Sequence, residues 1–143
     1  MKRQIRYTLD QINEIMPQIW AWIKNEPVIA LHGGLGAGKT TFTSALCAYL
    51  KTEEAVSSPT FSLINEYHFK DENGISKTIY HSDWYRIKDE EEAINAGIED
   101  MLQQQNAICI IEWPERAEGL LSGNVLHIDF GMEDADIRIL TVK

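Results

Sequence analysis

Cysteine is scarce in this chain. Cys47, in an expected helix, and Cys109, inside an apolar run, are the two present. A disulfide framework is therefore excluded, a reducing compartment fits, and both thiols read as small buried hydrophobes. Long apolar runs are missing too: nowhere are there the roughly eighteen consecutive apolar residues that a membrane helix needs. Met1-Lys2-Arg3-Gln4 leads into polar sequence where a signal peptide would carry an apolar core. A cytoplasmic protein with no membrane association is the expectation. Cations are few and scattered: 13 Lys and Arg stand against 22 Asp and Glu, for a formal charge of -9. Backbone phosphates of nucleic acids are held by grouped cations, so direct DNA or RNA binding is disfavoured. If RNA is involved, another protein holds it. Internal repeats, linkers and low-complexity segments are absent as well, and 143 residues with 44% hydrophobic content fit one domain, 1–143. A domain of that size buries a core without staples.

What is present is an alternation of strands and helices. Thr8-Leu9-Asp10-Gln11 has the form of a capping box, and Ile12, Ile15, Met16, Ile19, Trp20 and Ile23 follow at helical spacing. Pro17 removes a backbone donor inside that helix, which predicts a kink or break. Val28 to Leu31 is a continuous apolar run, as in a strand buried on both faces. Residues 61–69 and 77–83 read as strands around the turn Asn73-Gly74. Asp89 with three glutamates suits a helix start and Gly97 its stop. Ala107 to Ile111 is a second buried strand ending at Glu112, and Val125 to Phe130 with Ile137 to Val142 form a closing hairpin.

Between the first apolar strand and the next helix stands Gly33-Gly34-Leu35-Gly36-Ala37-Gly38-Lys39-Thr40, a complete G-x-x-x-x-G-K-[ST], followed by Thr41. Glycines let the backbone turn its N–H groups inward around phosphates without side chains in the way. The following helix adds its positive end. Lys39 then reaches the β- and γ-phosphates, and Thr40 offers its hydroxyl to Mg²⁺. No Asn-Lys-x-Asp for guanine occurs, and Asp71-Glu72-Asn73-Gly74, which satisfies D-x-x-G, sits at a hairpin tip. ATP is the better expectation.

Two strand ends carry carboxylates. Glu112 closes an apolar strand in the manner of a Walker B acid and can bind Mg²⁺ directly or through water. Asp83, in His81-Ser82-Asp83-Trp84-Tyr85-Arg86, can orient a water on the metal or the attacking water. His81 itself reads as a packed or hydrogen-bonded histidine, and Arg86 as an ion-pair partner or a phosphate contact. Ser58-Pro59-Thr60-Phe61 is a hydroxyl-bearing turn, either an ordinary loop or a switch that orders around the γ-phosphate.

Four segments therefore occur in order: Gly33 to Thr41, Ser58 to Phe61, His81-x-Asp83-x-Tyr85-Arg86, and Glu112-Trp113-Pro114-Glu115-Arg116. The set resembles the TsaE (YjeE) family from about residue 5 to about residue 140. The resemblance implies a Mg²⁺-dependent ATPase that works with TsaB-like and TsaD-like partners to form threonylcarbamoyladenosine at position 37 of tRNAs reading codons that begin with A. It implies contact with tRNA only through that complex. Lys39 and Thr40 would serve phosphates and metal, Glu112 and Asp83 would serve Mg²⁺ and its water, and Ser58 to Phe61 would form a mobile switch. The chain departs from the family at Gly34, where Asp is common, and at Trp84, where an aliphatic residue is usual. Two other functions share the phosphate cradle. A small-molecule kinase usually gathers several arginines over the transferring phosphate, whereas this chain has five in all; a nucleotide-gated binding module with negligible turnover stays open. The expected fold is α/β of the P-loop NTPase type, three-layered, with a mainly parallel central sheet and added antiparallel strands.

Overall fold

The structure, a computed structural model, describes residues 2–34, 36–54 and 63–143. Apolar stretches without polar alternation take the centre of a sheet, because only a strand covered on both faces can bury every side chain. Thus β2 (Val28–His32) and β5 (Ala107–Glu112) lie side by side in parallel register, Val28 opposite Cys109 and Leu31 opposite Glu112. On the other side β2 runs parallel to β6 (Leu126–Met132), and β5 runs parallel to β4 (Ser76–Asp83). Antiparallel strands complete the sheet. β7 (Ile137–Val142) returns along β6, β1 (Arg3–Thr8) pairs with β7, and β3 (Ile64–Lys70) pairs with β4. The order is β1-β7-β6-β2-β5-β4-β3, with four parallel strands at the centre.

Alternation along β5 divides the interior into two cores. Ile108 and Ile110 face α1 (Ile12–Ile23) and α2 (Lys39–Leu50), packing with Met16, Ile19, Phe42 and Leu46. Cys109 and Ile111 face the opposite way, towards α3 (Glu90–Asn95) and α4 (Ile98–Leu102), among Trp84, Ile98 and Met101. Helices on both faces of a largely parallel sheet give the expected three-layer α/β architecture. Both cysteines are buried and unpaired, and burial pushes each thiol up to about 12. No described helix is long and apolar enough to cross a membrane.

The local signals translate as chemistry dictates. Asp71 Oδ1 accepts the N–H groups of Asn73 (2.9 Å) and Ile75 (3.0 Å), so the D-x-x-G match is a turn cap. Asp89 caps α3 by accepting the Glu92 N–H at 2.9 Å, and Gly97 ends it with φ 89°. Three features differ from expectation. β1 precedes the first helix, with Thr8 as its last residue; the Gln11 side chain still accepts the Thr8 N–H at 2.9 Å, but it caps a 3₁₀ turn, Leu9–Gln11, that feeds α1. α4 follows α3 directly across Gly97. Pro17 lies inside a continuous α1. It sits on the exposed face with Asn13, whose carbonyl it leaves without an intrahelical donor, so water can serve that group while Ile12, Met16, Ile19 and Ile23 stay buried.

Candidate functional site

Because β2, β4 and β5 are parallel, their carboxyl ends share one rim of the sheet, where open α/β sheets place their ligands. The glycine-rich loop leaves β2 at that rim and enters α2. Its backbone needs glycine at defined points: Gly36 has φ 79° and Gly38, the residue before α2, has φ 105°. A Cβ on Gly33 would stand 3.0 Å from the Phe130 carbonyl oxygen. Gly34 is exposed and open around its Cα, so a side chain at this position would have room. Ala37 is buried, while Thr40 and Thr41 are exposed in the first turn of α2. Leu35 and the segment Ser58, Pro59, Thr60 and Phe61 lie outside the described residues.

Lys39 is the unusual member. It is buried at 5% exposure, and among the described residues its Nζ has no hydrogen-bond partner. A buried ammonium is costly unless something compensates it. Here Nζ lies 3.7 Å from the centre of the Trp113 ring, a cation–π contact. Burial pulls the ammonium below its ordinary range, and the charges of Glu112, Asp83 and Glu115 pull it partly back. Trp113 reaches this place because the chain turns left-handed after β5 (φ 58°, ψ 51°), an uncommon conformation for a bulky residue. Its ring also meets Tyr85, centroids 4.9 Å apart, and Arg116 stands 5.8 Å over Tyr85.

The two carboxylates end adjacent strands in register, Asp83 opposite Glu112. Glu112 is 3% exposed and its Oε2 lies 2.5 Å from His81 Nε2. Asp83 is half-buried, and its Oδ1 accepts the Tyr85 N–H at 3.0 Å. On the opposite face of β4, Trp84 Nε1 donates to Ser82 Oγ (2.8 Å) and the Ser82 hydroxyl donates to the Leu63 carbonyl (2.9 Å), which ties the strand end to the residue that follows the undescribed segment. Arg86 is exposed. The residues singled out in the sequence thus meet at one rim: the loop and Lys39 from β2–α2, Asp83 from β4, Glu112 from β5. Two contacts were not foreseen. His81 pairs with Glu112, a relation available from period two, since His81 and Asp83 face the same way. The Trp113 cover over Lys39 depends on a backbone angle that no residue type announces.

The sequence matches the family described as "Threonylcarbamoyl adenosine biosynthesis protein TsaE" over residues 7–139. Among similar proteins are tRNA threonylcarbamoyladenosine biosynthesis protein TsaE of Haemophilus influenzae, 36% identical over 115 residues (79% of this chain, 69% of that one), and its namesake from Bacillus subtilis, 36% identical over 121 residues (85% and 72%). The TsaE of Rickettsia bellii is 33% identical over 126 residues, covering 85% of this chain and 81% of that one. In three dimensions the chain is similar to the crystal structure of Bacillus subtilis YdiB, with TM-score 0.68 and 27% identity over 99% of this chain and 86% of that one.

Proposed function

The chain belongs to the TsaE family, and on that premise we propose that it is a Mg²⁺-dependent ATPase serving threonylcarbamoyladenosine formation in tRNA. The observation that carries the reading is the orphaned Lys39 Nζ: a buried cation at the mouth of a glycine loop, with no protein acceptor among the described residues. Such a group fits an anionic ligand brought to it. The loop fits as well, because its positive-φ glycines turn backbone N–H groups without presenting side chains.

The residues divide the work as follows. The backbone of residues 33–38, the start of α2 and Lys39 bind the phosphates of ATP. The Thr40 hydroxyl, Glu112 and Asp83 hold Mg²⁺ or its waters, a hard-oxygen set that suits this cation. Held there, Mg²⁺ would supply positive charge against the charge that develops on the transferring phosphate. Asp83, half-buried beside Glu112, orients water; Glu112 stays fixed by His81. The Trp113 ring excludes solvent from one side of Lys39. TsaB-like and TsaD-like proteins are the proposed partners, with tRNA reached through them, and a cytoplasmic location follows from that role. Ser58 to Phe61 is proposed as the segment that responds to the γ-phosphate.

The test is phosphate release by the purified chain and by Lys39→Ala, with and without Mg²⁺. Loss of both binding and release in Lys39→Ala, with an unchanged melting temperature, is the expected result. Unaltered hydrolysis in that variant would remove the site assignment. Tight nucleotide binding with no release under any condition would favour a nucleotide-gated module instead.

A further inference from the structure

We propose that His81 is a positioning residue that holds Glu112 in the one orientation useful to a divalent cation. The inference rests on the metal–nucleotide function proposed above. His81 lies in β4 opposite Ile110, two residues deeper than the rim pair Asp83 and Glu112, and it is 1% exposed. Its Nε2 is 2.5 Å from Glu112 Oε2. That bond needs the ring hydrogen on Nε2, because the carboxylate oxygen can only accept. Nδ1 is also buried, and among the described residues it has no partner.

An orphaned ring nitrogen lowers stability, since a buried polar atom without a hydrogen bond forfeits its hydration. Packing alone would be better served by an apolar side chain of similar size. The position therefore favours what an imidazole does through Nε2: it engages one carboxylate oxygen and commits Oε2 inward, so that Oε1 is the oxygen left for a cation at the rim. A glutamate without this partner has three side-chain torsions to fix when metal arrives. Partners that orient a metal ligand in this way typically govern metal affinity by about 10- to 100-fold.

The experiment compares the wild-type chain, His81→Leu and His81→Gln by titrating a fluorescent ATP analogue in EDTA and then at rising Mg²⁺. In His81→Leu the metal-free affinity stays at the wild-type value, while the Mg²⁺ midpoint weakens roughly 10- to 100-fold. His81→Gln, whose amide can donate to the same oxygen, recovers most of that loss. Nitrogen NMR of the nucleotide-free wild type supplies a readout independent of variant folding: the His81 ring carries its hydrogen on Nε2, and Glu112→Ala shifts that signal. An unchanged Mg²⁺ midpoint in His81→Leu, an equal loss of metal-free affinity, or a ring hydrogen on Nδ1 in the wild type would each overturn the proposal. Wild-type binding that ignores Mg²⁺ would overturn the underlying metal reading, an outcome separable from a Mg²⁺-dependent wild type matched by its His81 variants.

Discussion

Glu112 and Asp83 have the same charge and similar places, yet their surroundings differ. Glu112 is almost fully buried and fixed by His81, whereas Asp83 is half-buried and holds a neighbouring backbone N–H. A fixed, desolvated carboxylate suits direct contact with a cation, and a wetter one suits orienting water. Glu112→Ala is therefore expected to raise the Mg²⁺ needed for nucleotide binding, while Asp83→Ala spares binding and lowers hydrolysis. Mg²⁺ titrations of both variants check this, and indistinguishable metal dependence would contradict it. Trp113 offers an optical test. Its ring touches Lys39, so phosphate drawing that ammonium away changes the ring's surroundings. Nucleotide-dependent fluorescence should disappear in Trp113→Phe, and a full signal in that variant would reassign it to Trp20, Trp22 or Trp84. That Lys39, Asp83 and Glu112 meet at one rim was legible in sequence because a glycine motif and strand ends mark their places. The Lys39–Trp113 contact was not, because a non-glycine left-handed turn has no sequence signature.

Among the elements, the hairpin at Asn73-Gly74 and the start of α3 at Asp89 were readable because local hydrogen bonds close within a few residues. β5 was readable because a run of buried apolar residues has few other homes. β1 was not. Of its six residues only Tyr7 is buried, and its place comes from pairing with β7 at the far end of the chain, Arg3 opposite Val142. α1 shows the converse: Pro17 predicts a kink or a break, and the break does not occur, because the apolar stripe on the opposite face holds the helix together. The cost of the proline is still present. Pro17→Ala, at an exposed position away from the rim, is expected to raise unfolding free energy by up to about 3 kcal/mol. Denaturant unfolding of the variant measures it, with nucleotide binding unchanged; a loss of stability would show that Pro17 has a contact or constraint of its own.

At the scale of the whole molecule the salient quantity is charge. The chain is acidic, -9 overall, while the cations that the rim's sequence motifs carry besides Lys39 are the exposed Arg86 and Arg116. Phosphoryl transfer depends on positioning and on positive charge around the γ-phosphate, and an arginine supplied from outside raises rates by roughly 10³- to 10⁵-fold in other phosphate-transferring systems. The isolated chain is thus expected to hydrolyse ATP slowly, and a basic partner surface is expected to complete the site. Association driven by opposite charge also weakens as salt shortens the screening length. The most direct measurement is steady-state phosphate release from the purified chain, alone and then with TsaB-like and TsaD-like proteins and tRNA from the same cell, at low and moderate salt. Slow Mg²⁺-dependent release alone, acceleration by the partners, and a smaller acceleration at the higher salt make up the expected pattern. Release that no partner raises, or that proceeds without Mg²⁺, would contradict it.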